Sequence, residues 1–190
     1  MNNLILYFCA LSLVSCSSIS EKTISRMDDA SKPAWATQEK ALTVKDGKLM
    51  ILGFQELDVD AKISAAFRLS DNSARGELSK MIQTQFSSIL QNLEEGVTDG
   101  GGLTRNYSSE VSKTMLAELK ITNRFWEKVQ TFGNDGEKVY RLRAYSLAEI
   151  PEAKFKALMR ETLDKDKIDP EVKKQVLNHF EGEIKQFQSH

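Results

Sequence analysis

From Ala61 to about Glu95, apolar residues return every three or four positions. Ala74, Leu78, Ile82, Phe86, Leu90 and Leu93 mark the stripe, and Phe67, Met81 and Ile89 widen it. The spacing predicts one long helix, roughly 50 Å at about 1.5 Å per residue. Such a helix cannot stand alone in water, because its apolar face needs a second layer to lie on. Small residues at Ala61, Ala65, Ala66, Ala74 and Gly76 would let another backbone come close, and Ser70-Asp71-Asn72 is the natural place for a kink.

The second layer is read from strand signals on either side. Leu49-Met50-Ile51-Leu52 follows an Asp46-Gly47 turn and ends at Gly53-Phe54, where the glycine marks a bend or a close approach. Ile121 to Phe132 and Lys138 to Leu147 read as two strands joined by Gly133-Asn134-Asp135-Gly136. In the second of them Arg141 and Arg143 share a face with Val139 and Tyr145, while Tyr140, Leu142 and Ala144 are expected to face the core. The arginine pair reads as part of a solvated sheet face, with a ligand site as the alternative.

Three more helices are predicted. Val111, Met115, Leu116 and Leu119 fall on one face of 108–119. Phe155, Leu158, Met159 and Leu163 follow Pro151. Asp169-Pro170-Glu171 is a helix start, with Val172, Val176, Phe180, Ile184 and Phe187 as its stripe. That last helix follows a domain that reads as complete by about residue 163, and it is expected to pack back onto it. The glycine-rich stretch 96–104 reads as a connector, since it lacks the Gly-Lys-Ser/Thr ending of a phosphate loop. The fold class is therefore α+β: a small antiparallel sheet of about three strands packed on a long helix, with extra C-terminal helices.

The N-terminus carries chemistry of a different kind. Leu4 to Val14 is an apolar run too short to span a bilayer, which takes about 20 residues, but of the right length for the core of a secretory signal. It ends at Leu13-Val14-Ser15-Cys16. Small residues before a cysteine at that place form the pattern read by the bacterial lipoprotein signal peptidase. Cys16 is accordingly the expected lipidation site, its thiol taking a diacylglyceryl group and its freed amine a third acyl chain. Met1-Asn2-Asn3 departs from the pattern in carrying no Lys or Arg. Cys9 lies inside the apolar run and is expected to be discarded with it. Ser17, which follows Cys16, reads as an outer-membrane address facing the periplasm. The organisation expected is a signal peptide at 1–15, a lipidated cysteine and flexible tether at 16–32, an α+β domain at 33–150 and a helical extension at 151–190. In it Lys32-Pro33-Ala34-Trp35 opens the folded part and Trp35 packs into the edge of the core.

Charge narrows the function. Lys plus Arg number 26 and Asp plus Glu 27, a net charge of −1. A nucleic-acid partner is not expected, because phosphate neutralisation needs a basic footprint. Two His and two Cys leave little for metal or nucleophilic chemistry. His179 reads as a boundary residue and His190 as a frayed terminus. The sequence offers no catalytic, cofactor-binding or metal-ligating residues.

Lys32-Pro33-Ala34-Trp35, the strand end at Gly53, Ala74-Arg75-Gly76-Glu77-Leu78 in the long helix, and Trp126 followed by the strand from Val139 to Tyr145 also carry a likeness. Over roughly 32–150 the chain resembles the family typified by the twenty-kilodalton outer-membrane lipoprotein of Helicobacter, related to the amino-terminal part of a flagellar outer-membrane protein. The strand before the long helix lacks that family's Gly-x-Gly pattern, and 151–190 lies outside it. The resemblance implies an α+β fold without enzyme activity. The function expected is a non-catalytic, lipid-anchored envelope protein, held to the membrane through Cys16 and acting by contact with an envelope protein, the envelope itself or another copy. The alternatives are a lipid-anchored carrier of an apolar ligand beside the long helix, and a periplasmic enzyme.

Overall fold

Two hairpins and one polar strand build the sheet. The computed structural model describes residues 21–93, 100–165 and 170–188. The strands are β1 (Lys22–Arg26), β2 (Leu42–Lys45), β3 (Lys48–Asp58), β4 (Lys120–Phe132) and β5 (Lys138–Pro151). They lie in the order β1-β4-β5-β3-β2, every neighbour antiparallel. The helices are α1 (Ile63–Leu93), α2 (Gly100–Glu118), α3 (Glu152–Lys165) and α4 (Pro170–Gln188).

The sheet thus has five strands, not the expected three or so, although the α+β class stands. Both additional strands are edges, which have a physical reason to be hard to read. The β2 strand is four residues long, with Leu42 and Val44 buried and Lys45 exposed. It joins β3 through Asp46 and Gly47, whose φ angles of 51° and 70° give the two positive values a type I′ hairpin turn requires. The β1 strand is Lys-Thr-Ile-Ser-Arg, in the segment read as tether. It has no buried residue and forms because β4 offers it a ladder, with a register shift between Thr23 and Ser25. An edge strand exposed along one side needs little apolar content, so no run announces it.

The long helix is continuous through Ser70-Asp71-Asn72 and crosses β3 and β5 on one face. Ala74, Leu78, Ile82, Phe86 and Ile89 are buried there, as the stripe predicted; Leu90 and Leu93 have side chains outside the described set. The crossing is close at Gly53. A Cβ at that position would lie 2.0 Å from the Ser70 carbonyl oxygen and 2.6 Å from the Ala74 amide nitrogen. Both obstacles are backbone and cannot swing aside. Gly76, on the outer side of the same helix, meets nothing within 4 Å. Gly53→Ala is therefore expected to cost about 1–3 kcal/mol or more, whereas Gly76→Ala should gain roughly 0.5–1 kcal/mol from helix propensity. Denaturant unfolding of the two variants checks this, and equal effects would mean the helix does not cross at Gly53.

A buried polar contact locks the same crossing. The Ser70 and Ser146 hydroxyls are 2.6 Å apart, and Ser146 donates to Asp71 at 2.6 Å. Arg124 closes the chain with two hydrogen bonds to Asp71, 3.1 and 2.7 Å. Burial acts to raise the Asp71 carboxyl, but Arg124 and Ser146 outweigh it and hold it below its ordinary value.

The remaining helices share the core beneath α1. The α2 helix packs on α1, α3 on α2, and α4 on β2 and α1. Phe155, Met159 and Leu163 of α3, and Val176, Phe180 and Ile184 of α4, belong to one buried cluster with Ile82 and Phe86. The α4 helix therefore packs back on the domain, as expected. The stretch read as a connector through Thr104 becomes helical at Gly100, while 96–99 lie outside the described residues. Pro151 ends β5 rather than opening α3. Tyr140, expected in the core, is 43% exposed, near the turn end of the β4–β5 hairpin.

Candidate functional site

The sheet face opposite the helices is crossed by the chain between β1 and β2. Two short 3-10 turns, Met27–Asp29 and Ala34–Ala36, shape this arm. Met27, Trp35 and Ala36 pack against Leu52, Phe125 and Tyr145. Trp35 is half-buried there, as predicted.

An ion cluster fastens the arm. The Lys32 ammonium donates to Glu127 Oε1 at 2.8 Å and to the Tyr145 hydroxyl at 2.6 Å, and lies 4.1 Å from the centre of the Tyr145 ring. The Tyr145 hydroxyl in turn donates to Glu127 Oε1 at 3.0 Å. Arg26 Nε stands 3.6 Å from the other Glu127 oxygen. Glu127 is 3% exposed, so its charge depends on these partners. Burial acts to raise the Glu127 carboxyl, yet Lys32, Tyr145 and Arg26 together hold it below its ordinary value. Burial acts to lower Lys32, and its bonds to Glu127 and Tyr145 hold it above its ordinary value. Burial pushes the Tyr145 phenol up. At neutral pH these shifts favour the charged forms of Glu127 and Lys32 and the neutral phenol of Tyr145, which suits a clamp.

The clamp should be visible in the pH dependence of stability. Glu127, lowered in the folded chain, contributes above the ordinary glutamate range of about pH 4–5, and the contribution fades as pH falls through the lowered folded value. Lys32, raised, contributes below the ordinary lysine value and fades only as pH rises through the raised one. Chemical denaturation should therefore give a plateau at neutral pH and an acid limb shared by Glu127 and Asp71. Glu127→Gln should lower the plateau and shrink that limb; an unaltered limb would refute the clamp.

Further along the same face Arg143 bonds Glu56 and Glu21, each at 2.6 Å, and Arg141 pairs with Asp58 and Glu56. The two arginines read as a sheet face are neutralised across strands, which leaves no free cationic pair for an anion.

Beside the clamp, a groove of about 390 Å³ opens between the arm, β3 and α1. Leu52, Phe54 and Tyr145 give it an apolar floor, and Glu39, Ser73 and Glu77 a polar wall. The Phe54 ring is 44% exposed and 5.2 Å from that of Tyr145. Glu39 and Glu77 have no ion pair among the described residues.

The sequence-predicted sites fall outside this region. Cys16, Cys9 and His190 lie outside the described residues. His179 is half-buried on α4 with Nε2 against Gln85 Oε1 at 2.5 Å. Among the described residues no three His, Cys, Asp or Glu gather as a metal group. Sequence reasoning missed Glu127, Lys32 as its partner, and the groove. A charged residue at an inward strand position of β4 was the available signal; its partner stands 95 residues away.

The fold and site define an α+β protein with its helices on one face of a five-stranded antiparallel sheet and a pinned N-terminal arm on the other. No family model, curated protein or solved structure matches the chain.

Proposed function

We propose that this is a non-catalytic, lipid-anchored protein of the bacterial cell envelope, held in the outer membrane through Cys16 and working by contact with envelope partners. The observation that carries the reading is the apolar run from Leu4 to Val14 ending at Leu13-Val14-Ser15-Cys16. No helix among the described residues is long and apolar enough to cross a membrane. The position of β1 supports a close anchor: Lys22 follows Cys16 by six residues, which reach at most about 20 Å when extended. The domain edge would then stand no farther than that from the anchor, a shorter limit than a tether running to residue 32 would set.

The likeness to the Helicobacter lipoprotein family belongs to the same proposal. The residues that carry it have structural work here: Lys32 clamps Glu127, Trp35 packs the arm, Gly53 admits α1, and Ala74 and Leu78 are buried beneath it. The test is the partitioning of a Cys16→Ala variant between detergent and water, and a mature-length product retained in the detergent phase overturns the reading.

A further inference from the structure

The β3 strand runs from Lys48 to Asp58 and pairs with β5 along its whole length, but β2 covers it only from Lys48 to Ile51, with one more bond from the Leu52 amide to the Ala41 carbonyl at 2.7 Å. From Phe54 to Asp58 the side of β3 away from β5 has no strand partner among the described residues. Backbone groups alternate along a strand, so the amides and carbonyls of Phe54, Glu56 and Asp58 point the same way as those of Leu52, toward the open side. The Asp58 carbonyl already accepts the Ala61 amide at 3.0 Å in the turn into α1, but the partners at Phe54 and Glu56 are makeshift. The Phe54 amide reaches the Ser73 hydroxyl at 3.4 Å, beyond the usual range of about 2.7–3.2 Å. The Glu56 carbonyl takes a Gln55 side-chain bond at 3.3 Å. Edge strands are normally blunted by lysine, proline or a covering element. Here the open edge instead borders the groove of Phe54, Glu39 and Glu77.

We infer that this edge is a docking site for an extended peptide of a partner protein, one that alternates basic and apolar residues and adds a strand to the sheet beside Phe54–Asp58. The main chain of the peptide supplies the hydrogen bonds, as in other strand-addition complexes. Its side chains alternate between two surroundings: the exposed Phe54 ring, which takes an apolar residue, and the wall of Glu39 and Glu77, which takes a Lys or Arg. Charge complementarity selects the sign. Glu56 and Asp58, on the edge itself, are already neutralised by Arg141 and Arg143, so the uncompensated charge belongs to Glu39 and Glu77. This inference rests on the reading that the protein works by contacts, and it names the chemistry of the contact.

The full chain in detergent is titrated with a fluorescent peptide of alternating Lys and Val, and with its Glu–Val counterpart. The Lys–Val peptide should bind saturably, and the Glu–Val peptide at least about tenfold more weakly. Glu39→Lys with Glu77→Lys should reverse that order. Amide exchange at Phe54 and Glu56 should slow on binding, which a merely electrostatic surface contact would not cause. Glu39 is exposed and Glu77 half-buried, and an unchanged thermal transition confirms that the variant folds. Should the double variant fail to fold, Glu39→Lys alone must weaken the Lys–Val peptide. Equal binding of the two peptides, indifference to charge reversal, or no protection at Phe54 and Glu56 would each overturn the inference. Titration in detergent does not depend on lipid at Cys16, so failure here leaves the anchor standing, and failure of the anchor leaves the edge.

Discussion

Cys16→Ala is expected to abolish lipid anchoring. A diacylglyceryl group brings two acyl chains, and each buried methylene adds about 0.8 kcal/mol, so two chains hold firmly where one would be marginal. With alanine at position 16 there is no thiol to modify. The product should be either the precursor that keeps residues 1–15 or a chain that leaves the detergent phase for water. Intact mass separates the two, since neither carries acyl mass and only the precursor carries the extra residues. Cys9→Ala, inside the apolar run, should leave both mass class and partitioning unchanged. A mature-length Cys16→Ala chain that stays with the membrane would show that something other than lipid holds it there.

Deleting residues 169–190 should have the largest effect on the folded part. The α4 helix contributes Val176, Phe180 and Ile184, each no more than 3% exposed. The Phe180 ring lies 5.6 Å from that of Phe86 and 6.3 Å from that of Phe155, so it bridges α1 and α3. Truncating one such residue costs about 2–5 kcal/mol, and a whole domain has only about 5–15 kcal/mol. Loss of the helix should therefore remove the cooperative thermal transition and expose an apolar surface that binds a hydrophobic dye. Phe180→Ala alone should keep the fold while lowering the transition. Gln83→Ala, at an exposed position of α1, should change little. A truncated chain with an unchanged transition would mean that α4 is an arm and not core.

The proposed anchor and the core also differ in how far the sequence reveals them. The proposed lipidation rests on a few adjacent residues, so the run into Cys16 can be read without a fold, and it lies outside the described residues. The phases of α1 and α4 are legible too, because a helix writes its buried face at a spacing of three and four within its own sequence. Ile82 and Phe86, and later Phe180 and Ile184, are buried on that basis. The hairpin between Phe132 and Lys138 follows from turn chemistry between two alternating runs.

Local pattern alone determined those features: helical faces, turns and the mixture of helix and sheet. Tertiary structure decided the rest. Lys22–Arg26 is a strand because β4 has an open edge to pair with, and nothing in Lys-Thr-Ile-Ser-Arg distinguishes that outcome from a tether. Glu127 is buried because Lys32 returns from the other end of the chain to neutralise it. Gly53 is required because Ser70 and Ala74 pass within contact distance of it. The groove exists because β2 stops where β3 continues. Each of these is a meeting of segments distant in sequence, and a pairing leaves its mark on two places at once, neither of which carries the signal by itself.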